Sequence, residues 1–308
     1  MKQKEYQPTS GVSTLLVRRI SRVQATQRAG RAGRTAPGKC FRLYGAREMK
    51  RMDERTSPEI MRVSLESVVL HLKVMSYDDV LDFDFLDAPD SPGLVAAAVA
   101  LFLLGALDAD GKLTSQGRLL STLPTEPAYG KVLLAACKGG AVAEVVTVVA
   151  ILAGTDSLFR QAARGNAGDK HPHARFVCDG LGDHIAFLRA YAEWSAQPGQ
   201  QQQAWCRQHC IDGRCLRTAR QTRDLLLRSL QPAFADALRD GDERRIRFDS
   251  ERLSRVRQSL CYGMYTHAAC STRRGGYMTM GEPKQLGVCP DAPWCAFALP
   301  RLWCLRLC

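Results

Sequence analysis

The sequence predicts a mainly α protein with small β elements, an α+β chain built from several units. Two observations carry that prediction. Beyond Leu119, apolar residues recur three and four apart in four separate runs, which is the spacing of one helix face. β-prone runs, by contrast, are short and fall at the two ends of the chain and around one turn at Asp110-Gly111. A length of 308 residues exceeds one small core, so two or more units are expected. Hydrophobic residues make up 45% and charged residues 24%, the balance of an ordinary globular chain rather than a disordered one.

The elements follow in order. "KQKEY" and "VSTLLV" are β-prone runs joined by the Pro- and Gly-containing "QPTSG", and predict a hairpin. Ser21, with Gln24 three residues on, has the form of a capping box, so a helix is expected from there to about Gly33. "TAPG" breaks it, and "KCFRLY" reads as a strand. In "SPEIMRVSLESVVLHLKVM" Ser57 suits a cap, Pro58 the first helical position, and Glu59 the helix dipole. Met61, Leu65, Val68, Leu72 and Met75 would form its apolar stripe. "DFDFLDAPDSP" is a loop. "VAAAVALFLLGAL" is short of a membrane span and reads as a buried helix. "ALDADGKLT" reads as a tight hairpin. Two helices followed by such a wing are the pattern of a winged-helix domain.

"PAYGKVLLAAC", "AVAEVVTVVAIL", "GDHIAFLRAYAEW" and "RCLRTARQTRDLLLRSL" are the four helical runs. "RQAARGNAGDKHPHARF" is read as an exposed loop and "QPGQQQQ" as a link. After "DGDERR" the runs "YGMYTHAAC", "GGYMTM" and "QLGVCP" look like small-barrel strands, with "TRRGG" as a turn. The closing "PWCAFALPRLWCLRLC" lacks strand alternation.

Charge is concentrated. Residues 1–51 hold thirteen Lys/Arg and two Asp/Glu, nearly all of the net charge of +12. Such a segment suits phosphate-bearing partners. Within it lies "QRAGRAGR", residues 27–34. On a helix Gln27, Arg31 and Arg34 would share one face, with Arg28 on the neighbouring one. Guanidinium is a planar, permanently charged fork that grips phosphate oxygens in bidentate fashion. Gly30 and Gly33 each disfavour a helix by about 1 kcal/mol relative to Ala, which suggests close approach of another group to the backbone. Of twelve cysteines, Cys206-x3-Cys210, near His209 and Cys215, has no clean partner pair, and Cys304-x3-Cys308 sits at the extreme end where ligands would be poorly held, so buried thiols are expected rather than a metal site. The start "MKQKEYQPTS" carries no signal-peptide h-region.

"QRAGRAGR" followed by "PGKCFRLY" resembles motif VI of the DEAH-box RNA helicases. "FDFLDAP", "GALD.DGKLT..GRLLS.LP", "GDHIAFLRAY" and "WCRQH" resemble that family's C-terminal half, and the similarity covers about residues 1–290. The resemblance implies four parts. Residues 1–50 would end a second RecA-like α/β lobe, 51–118 would form the winged helix, 119–235 a helical ratchet bundle, and 236–308 an incomplete OB-fold barrel with an atypical tail. It further implies that Arg31 and Arg34 are arginine fingers at the γ-phosphate of ATP, with Gln27 placing the attacking water. ATP with Mg²⁺ would bind only with a first RecA-like lobe. No G-x-x-x-x-G-K-[ST] loop and no acidic box of that lobe occurs in the sequence, so the chain alone is expected to be inactive.

The implied partners are single-stranded RNA, that first lobe, and a protein activator at the OB-fold, with no membrane. Arg273, Arg274 and Tyr277 are the implied RNA contacts on the OB surface. The implied address is the nucleus, with the cytoplasm as the alternative. Two functions stay open: the C-terminal portion of an ATP-dependent RNA helicase serving splicing or ribosome biogenesis, or a non-catalytic RNA- or protein-binding adaptor that keeps the accessory domains.

Overall fold

The computed structural model describes residues 1–7, 12–154, 158–159, 175–177, 181–235, 238, 245–271, 277–279, 285–286 and 303–304. The fold is mainly α with small β elements, as the sequence predicts. Two compact units divide the chain, Met1–Ala100 and Leu101–Leu307.

The first unit opens on the expected hairpin. β1 (Lys2–Gln7) and β2 (Val12–Val17) pair antiparallel, from Lys2 opposite Val17 to Gln7 opposite Val12. Helix α1 (Arg22–Ala29) follows, and its capping box forms: Ser21 Oγ accepts from Gln24 N at 3.1 Å, and Gln24 Oε1 accepts from Ser21 N. A helix start leaves four N–H groups without intrahelical partners. Here the segment around Asp53 supplies two acceptors. Arg22 N donates to Asp53 O at 2.8 Å and Val23 N to Glu54 O at 3.1 Å, while Ser21 Oγ lies 3.1 Å from Thr56 Oγ1. The start of α1 is therefore tied to residues 53–56, and Ser21 is buried.

Three expectations in this unit are corrected. The helix ends at Ala29 rather than near Gly33. "KCFRLY" is not a strand; after the short helix α1 the chain runs without regular structure to α2 (Ala46–Lys50). Residues 35–44 make no backbone hydrogen bond to any described residue, so no ladder is formed there among the described residues. The helix expected from Pro58 is split into a 3-10 turn at Glu59–Met61 and helix α3 (Glu66–Val74). At the break Arg62 O accepts from Tyr6 N of β1 at 2.8 Å, and Glu66 N donates to Ser64 Oγ at 3.4 Å. Ser57 does not cap; Pro58 holds that place without a side-chain bond. Leu65, Val69, Leu70 and Leu72 are buried, whereas Met61 and Met75 at the ends of the expected stripe are exposed.

Helix α4 (Ser91–Leu103) carries the apolar run and spans the division between the units. The sequence reading had it buried. One face is, with Leu94, Ala97 and Leu101 inside, but Val95, Val99, Phe102 and Leu103 are about half exposed.

In the second unit the carbonyls that follow α4 are taken by side chains from elsewhere. Leu103 O accepts from Tyr265 Oη at 2.7 Å, Leu104 O from Gln116 Nε2 at 2.7 Å, and Gly105 O from Thr114 Oγ1 at 2.7 Å. The wing forms as predicted. Leu107 bridges Leu113, Asp108 N donates to Lys112 O, and Gly111 sits at φ +71. Asp108 Oδ1 accepts from the N–H groups of both Asp110 and Lys112, which fixes the turn. Thr114 then caps α5 (Ser115–Ser121).

The four predicted helical runs are α6 (Pro127–Gly139), α7 (Val142–Gly154), α8 (Asp183–Ala196) and α10 (Gly213–Leu230). Every residue of α7 from Val142 to Leu152 is buried. It packs against α6, α8 and α10. A further helix, α9 (Gln202–Gln208), occupies part of the expected link. The larger miss is α11 (Ser250–Met264), which packs on α6 and α7. Its "YGM" had been read as strand. Asp249 caps it by accepting from Arg252 N at 2.9 Å, and Leu253, Val256, Leu260 and Met264 are buried along one face.

Beyond it, β3 (Ala268–Ser271), β4 (Tyr277–Thr279), β5 (Gln285–Leu286) and β6 (Trp303–Cys304) pair antiparallel in the order β5-β4-β3-β6. The rest of the expected barrel and tail lies outside the described residues. So does most of the expected loop around residues 160–174.

Gly263 is the tightest point of the α6–α11 crossing. A Cβ there would stand 2.3 Å from Ala128 O and 2.4 Å from Val132 Cγ2. Gly139, near the end of α6, has open space around it. Overpacking a close contact costs about 1–3 kcal/mol. Gly263→Val is therefore expected to lower the urea unfolding midpoint by at least that equivalent, and Gly139→Ala to leave it unchanged or slightly raised.

Candidate functional site

The basic motif is built on the end of α1. Gly30 N donates to Thr26 O at 3.0 Å, the ordinary helical step. The winding then tightens, with Arg31 N bonded to Arg28 O at 3.2 Å and Ala32 N to Ala29 O at 3.1 Å. These are 3-10 steps, in which residues i and i+3 eclipse. Arg28, set on a neighbouring face by the sequence reading, thus stands one tight turn before Arg31. Gln27 lies on α1, Arg31 in the turn, and Arg34 in the bend that follows. The single helical face expected for Gln27, Arg31 and Arg34 is replaced by this turn. The signal for it was the three-residue spacing of the arginines, which matches the tighter winding better than the α-helical one.

All four side chains are exposed. Neither Arg28, Arg31 nor Arg34 has a carboxylate within ion-pair distance among the described residues. Nearby, the pair Arg18–Glu5 at 2.7 Å is the surface ion pair of the hairpin. At Gly33 a Cβ would meet nothing within 4 Å, and at Gly30 only carbonyls of its own turn. The fold therefore does not demand glycine at either position, and both leave space beside the backbone. A guanidinium group is a permanent cation that binds anion oxygens in bidentate fashion, and these three are exposed. No group of three His, Cys, Asp or Glu placed to hold a metal ion exists among the described residues.

Arg273 and Arg274 lie outside the described residues, and only the backbone of Tyr277, in β4, is described. A set that the sequence reading did not single out is on α10. Arg214, Arg217 and Arg228 are exposed, and residues 214, 217, 221 and 228 fall on one side at helical spacing.

Residues 100–125, from the end of α4 through the wing and α5, match the family model described as helicase associated domain (HA2), winged-helix. Residues 126–187, covering α6, α7 and the start of α8, match helicase associated domain (HA2), ratchet-like. The chain carries helicase associated domains. Their two matches adjoin, in the order winged helix then ratchet, and the wing and the helix buried on every side are the structural features that fall within them.

The cysteine cluster beyond the ratchet-like match is part of an aromatic core. His209 is 6% exposed, with its ring 4.7 Å from that of Trp205 and 5.6 Å from that of Phe176. Phe176 in turn contacts Phe159 and Trp205. Burial first, then the Arg175 charge, pull the His209 pKa below its ordinary 6.5, with Glu193 opposing. Burial raises the Cys206 thiol. In the fold His209 is held neutral, while in the unfolded chain it binds a proton below about pH 6.5. Its contribution to stability is thus present above that pH and is lost as pH falls. The urea midpoint of His209→Phe is expected to change less between pH 7.5 and 5.5 than that of the parent; equal slopes would show that His209 does not carry the effect.

Proposed function

We propose that this chain is the C-terminal portion of a DEAH-box ATP-dependent RNA helicase, and that it couples ATP hydrolysis to RNA unwinding or remodelling of the splicing or ribosome-biogenesis class. The observation that carries the reading is the set of three arginines three apart, exposed and without carboxylate partners, upstream of adjoining helicase-associated winged-helix and ratchet-like matches.

In this reading Arg31 and Arg34 face the γ-phosphate when a first RecA-like lobe, bearing the P-loop and the Mg²⁺ site, closes on them. Their guanidinium groups neutralise charge that spreads over the transferring phosphoryl oxygens, an effect worth on the order of 10³–10⁵ in rate. The Gln27 amide orients the attacking water. Arg28 joins this set as a further anion contact. Single-stranded RNA is held by phosphate contacts, and the exposed Arg214, Arg217 and Arg228 of α10 are suited to make them. Arg273, Arg274 and Tyr277 serve the same strand. A protein activator docks at the OB-fold, and the site of action is the nucleus. A second reading is a non-catalytic RNA- or protein-binding adaptor that keeps the helicase-associated domains.

A separately purified first RecA-like lobe with a P-loop and DEAH box separates these readings. The chain alone is expected to hydrolyse no ATP, and the mixture to show RNA-stimulated hydrolysis. Arg31→Ala or Arg34→Ala in the mixture is expected to lower kcat by about 10³ or more. Hydrolysis by the chain alone, or full activity of both variants, would overturn the helicase reading. RNA binding without any hydrolysis in the mixture selects the adaptor. In either case Arg214→Ala and Arg217→Ala should each weaken RNA binding and flatten its dependence on salt.

A further inference from the structure

Ser57 reads from the sequence as a helix cap, yet it caps nothing. The residue is exposed, and its hydroxyl makes no hydrogen bond to any described residue. Residues 56–58 have no regular secondary structure. Pro58 stands at φ −52 and ψ 152, and a residue before proline is pushed toward extended backbone. Ser57 is thus a free hydroxyl on an extended, solvent-facing stretch, with proline next in line.

That combination suits the acceptor of a protein kinase. A kinase cleft that offers no acceptor to the N–H after the hydroxyl disfavours every residue there except proline, which has no N–H. The sequence has two Ser-Pro pairs, Ser57-Pro58 and Ser91-Pro92. Ser91 is exposed as well, but it is the first residue of α4, so its backbone is helical. Of the two, Ser57 is the one on extended chain.

The neighbourhood says what a phosphate would do. Oγ1 of Thr56, next to Ser57, lies 3.1 Å from Oγ of Ser21, the N-cap of α1. The Asp53 and Glu54 carbonyls take the N–H groups of Arg22 and Val23. The start of α1 therefore has acceptors, but no acidic residue stands in its first turn. A helix N-terminus favours negative charge. Arg22, the first residue of α1, is exposed and has no carboxylate within ion-pair distance among the described residues. We infer that Ser57 is the acceptor of a proline-directed serine/threonine kinase, and that the phosphate it gains, with Arg22 as counter-charge, tightens the start of the helix that ends in the arginine turn. In the transfer, Ser57 Oγ forms a bond to the γ-phosphorus of ATP as the bond from that phosphorus to the β,γ-bridging oxygen breaks. The hydroxyl proton passes to the catalytic aspartate of the kinase, and ADP leaves. The phosphate brings a charge of about −1.5 to −2 at pH 7 and three strong acceptor oxygens. The inference goes beyond the nucleotide reading and does not require it.

The test uses the full chain, a purified kinase of the cyclin-dependent class, ATP and Mg²⁺. Phosphopeptide mass spectrometry is expected to find Ser57 modified at least tenfold faster than Ser91, and that signal is absent in Ser57→Ala. Kinase and nucleotide are then removed, and amide hydrogen exchange over residues 22–25 is compared with that of the unmodified chain. Exchange is expected to be about threefold slower after phosphorylation. In phosphorylated Arg22→Gln, a change at an exposed position, the slowing is expected to vanish. Ser57 left unmodified, Ser91 modified as fast, exchange unchanged or faster after phosphorylation, or slowing that survives in Arg22→Gln would each overturn the inference. No first lobe and no RNA enter the experiment, so its failure leaves the helicase reading standing. Failure of the ATPase reconstitution leaves this one standing.

Discussion

Helix α7 sets the terms for the second unit. It exposes no residue between Val142 and Leu152, so any polar atom it carries must be satisfied inside the protein. It carries two such residues, Glu144 and Thr147, both 0% exposed and three apart. Thr147 Oγ1 donates to Ala143 O at 2.7 Å within the helix and accepts from Arg223 Nε of α10 at 3.0 Å. Glu144 Oε1 accepts from Arg247 N at 2.7 Å, from the segment leading into α11. The apolar surface of α7 draws its neighbours in without direction. These two residues add the direction, because a buried carboxylate or hydroxyl left without a partner is expensive. They join α10 and the approach to α11 to the same central helix at a defined height.

The neighbouring helix α8 follows a related logic at Trp194. Its indole is fully buried, and the Arg220 guanidinium of α10 lies 4.2 Å from the ring centroid. A cation over an indole face is a favourable contact, more so when desolvated. The indole N–H itself has no hydrogen-bond partner among the described residues. Packing here has won over complete satisfaction of one donor. On the other side of the bundle, α11 meets α6 through Gly263, so backbone rather than side chains forms that contact.

What the sequence made legible follows from where the signals are local. The hairpin, the Ser21–Gln24 box, the wing at Asp110-Gly111 and the four predicted helical runs are each specified by residues close in sequence, and each is present. The failures involve competition or absence at a distance. The helix after Pro58 is interrupted where Arg62 O bonds Tyr6 N of β1, more than fifty positions away, a contact no local pattern announces. In α11 the buried Leu253, Val256, Leu260 and Met264 recur three and four apart, a helical spacing that the strand reading of "YGM" at its end passed over, together with the Asp249 cap. "KCFRLY" has the pattern of a strand, yet pattern alone cannot supply the ladder. At the arginine motif the residue types and spacing were plain. The change from α to 3-10 winding after Gly30 was not, because glycine in the motif can end a helix or merely interrupt it.

The same unpaired run from Gly38 to Tyr44 has a consequence for the lifetime of the molecule. Proteases accept their substrates as extended chain, and exposed segments without internal hydrogen bonds are the preferred places for nicking. Phe41, Arg42 and Leu43 offer aromatic, basic and aliphatic cleavage points within three positions. One cut there would separate the arginine turn from everything after it while leaving the helicase-associated domains intact. A chain cut there would part with most of its net positive charge in a single step.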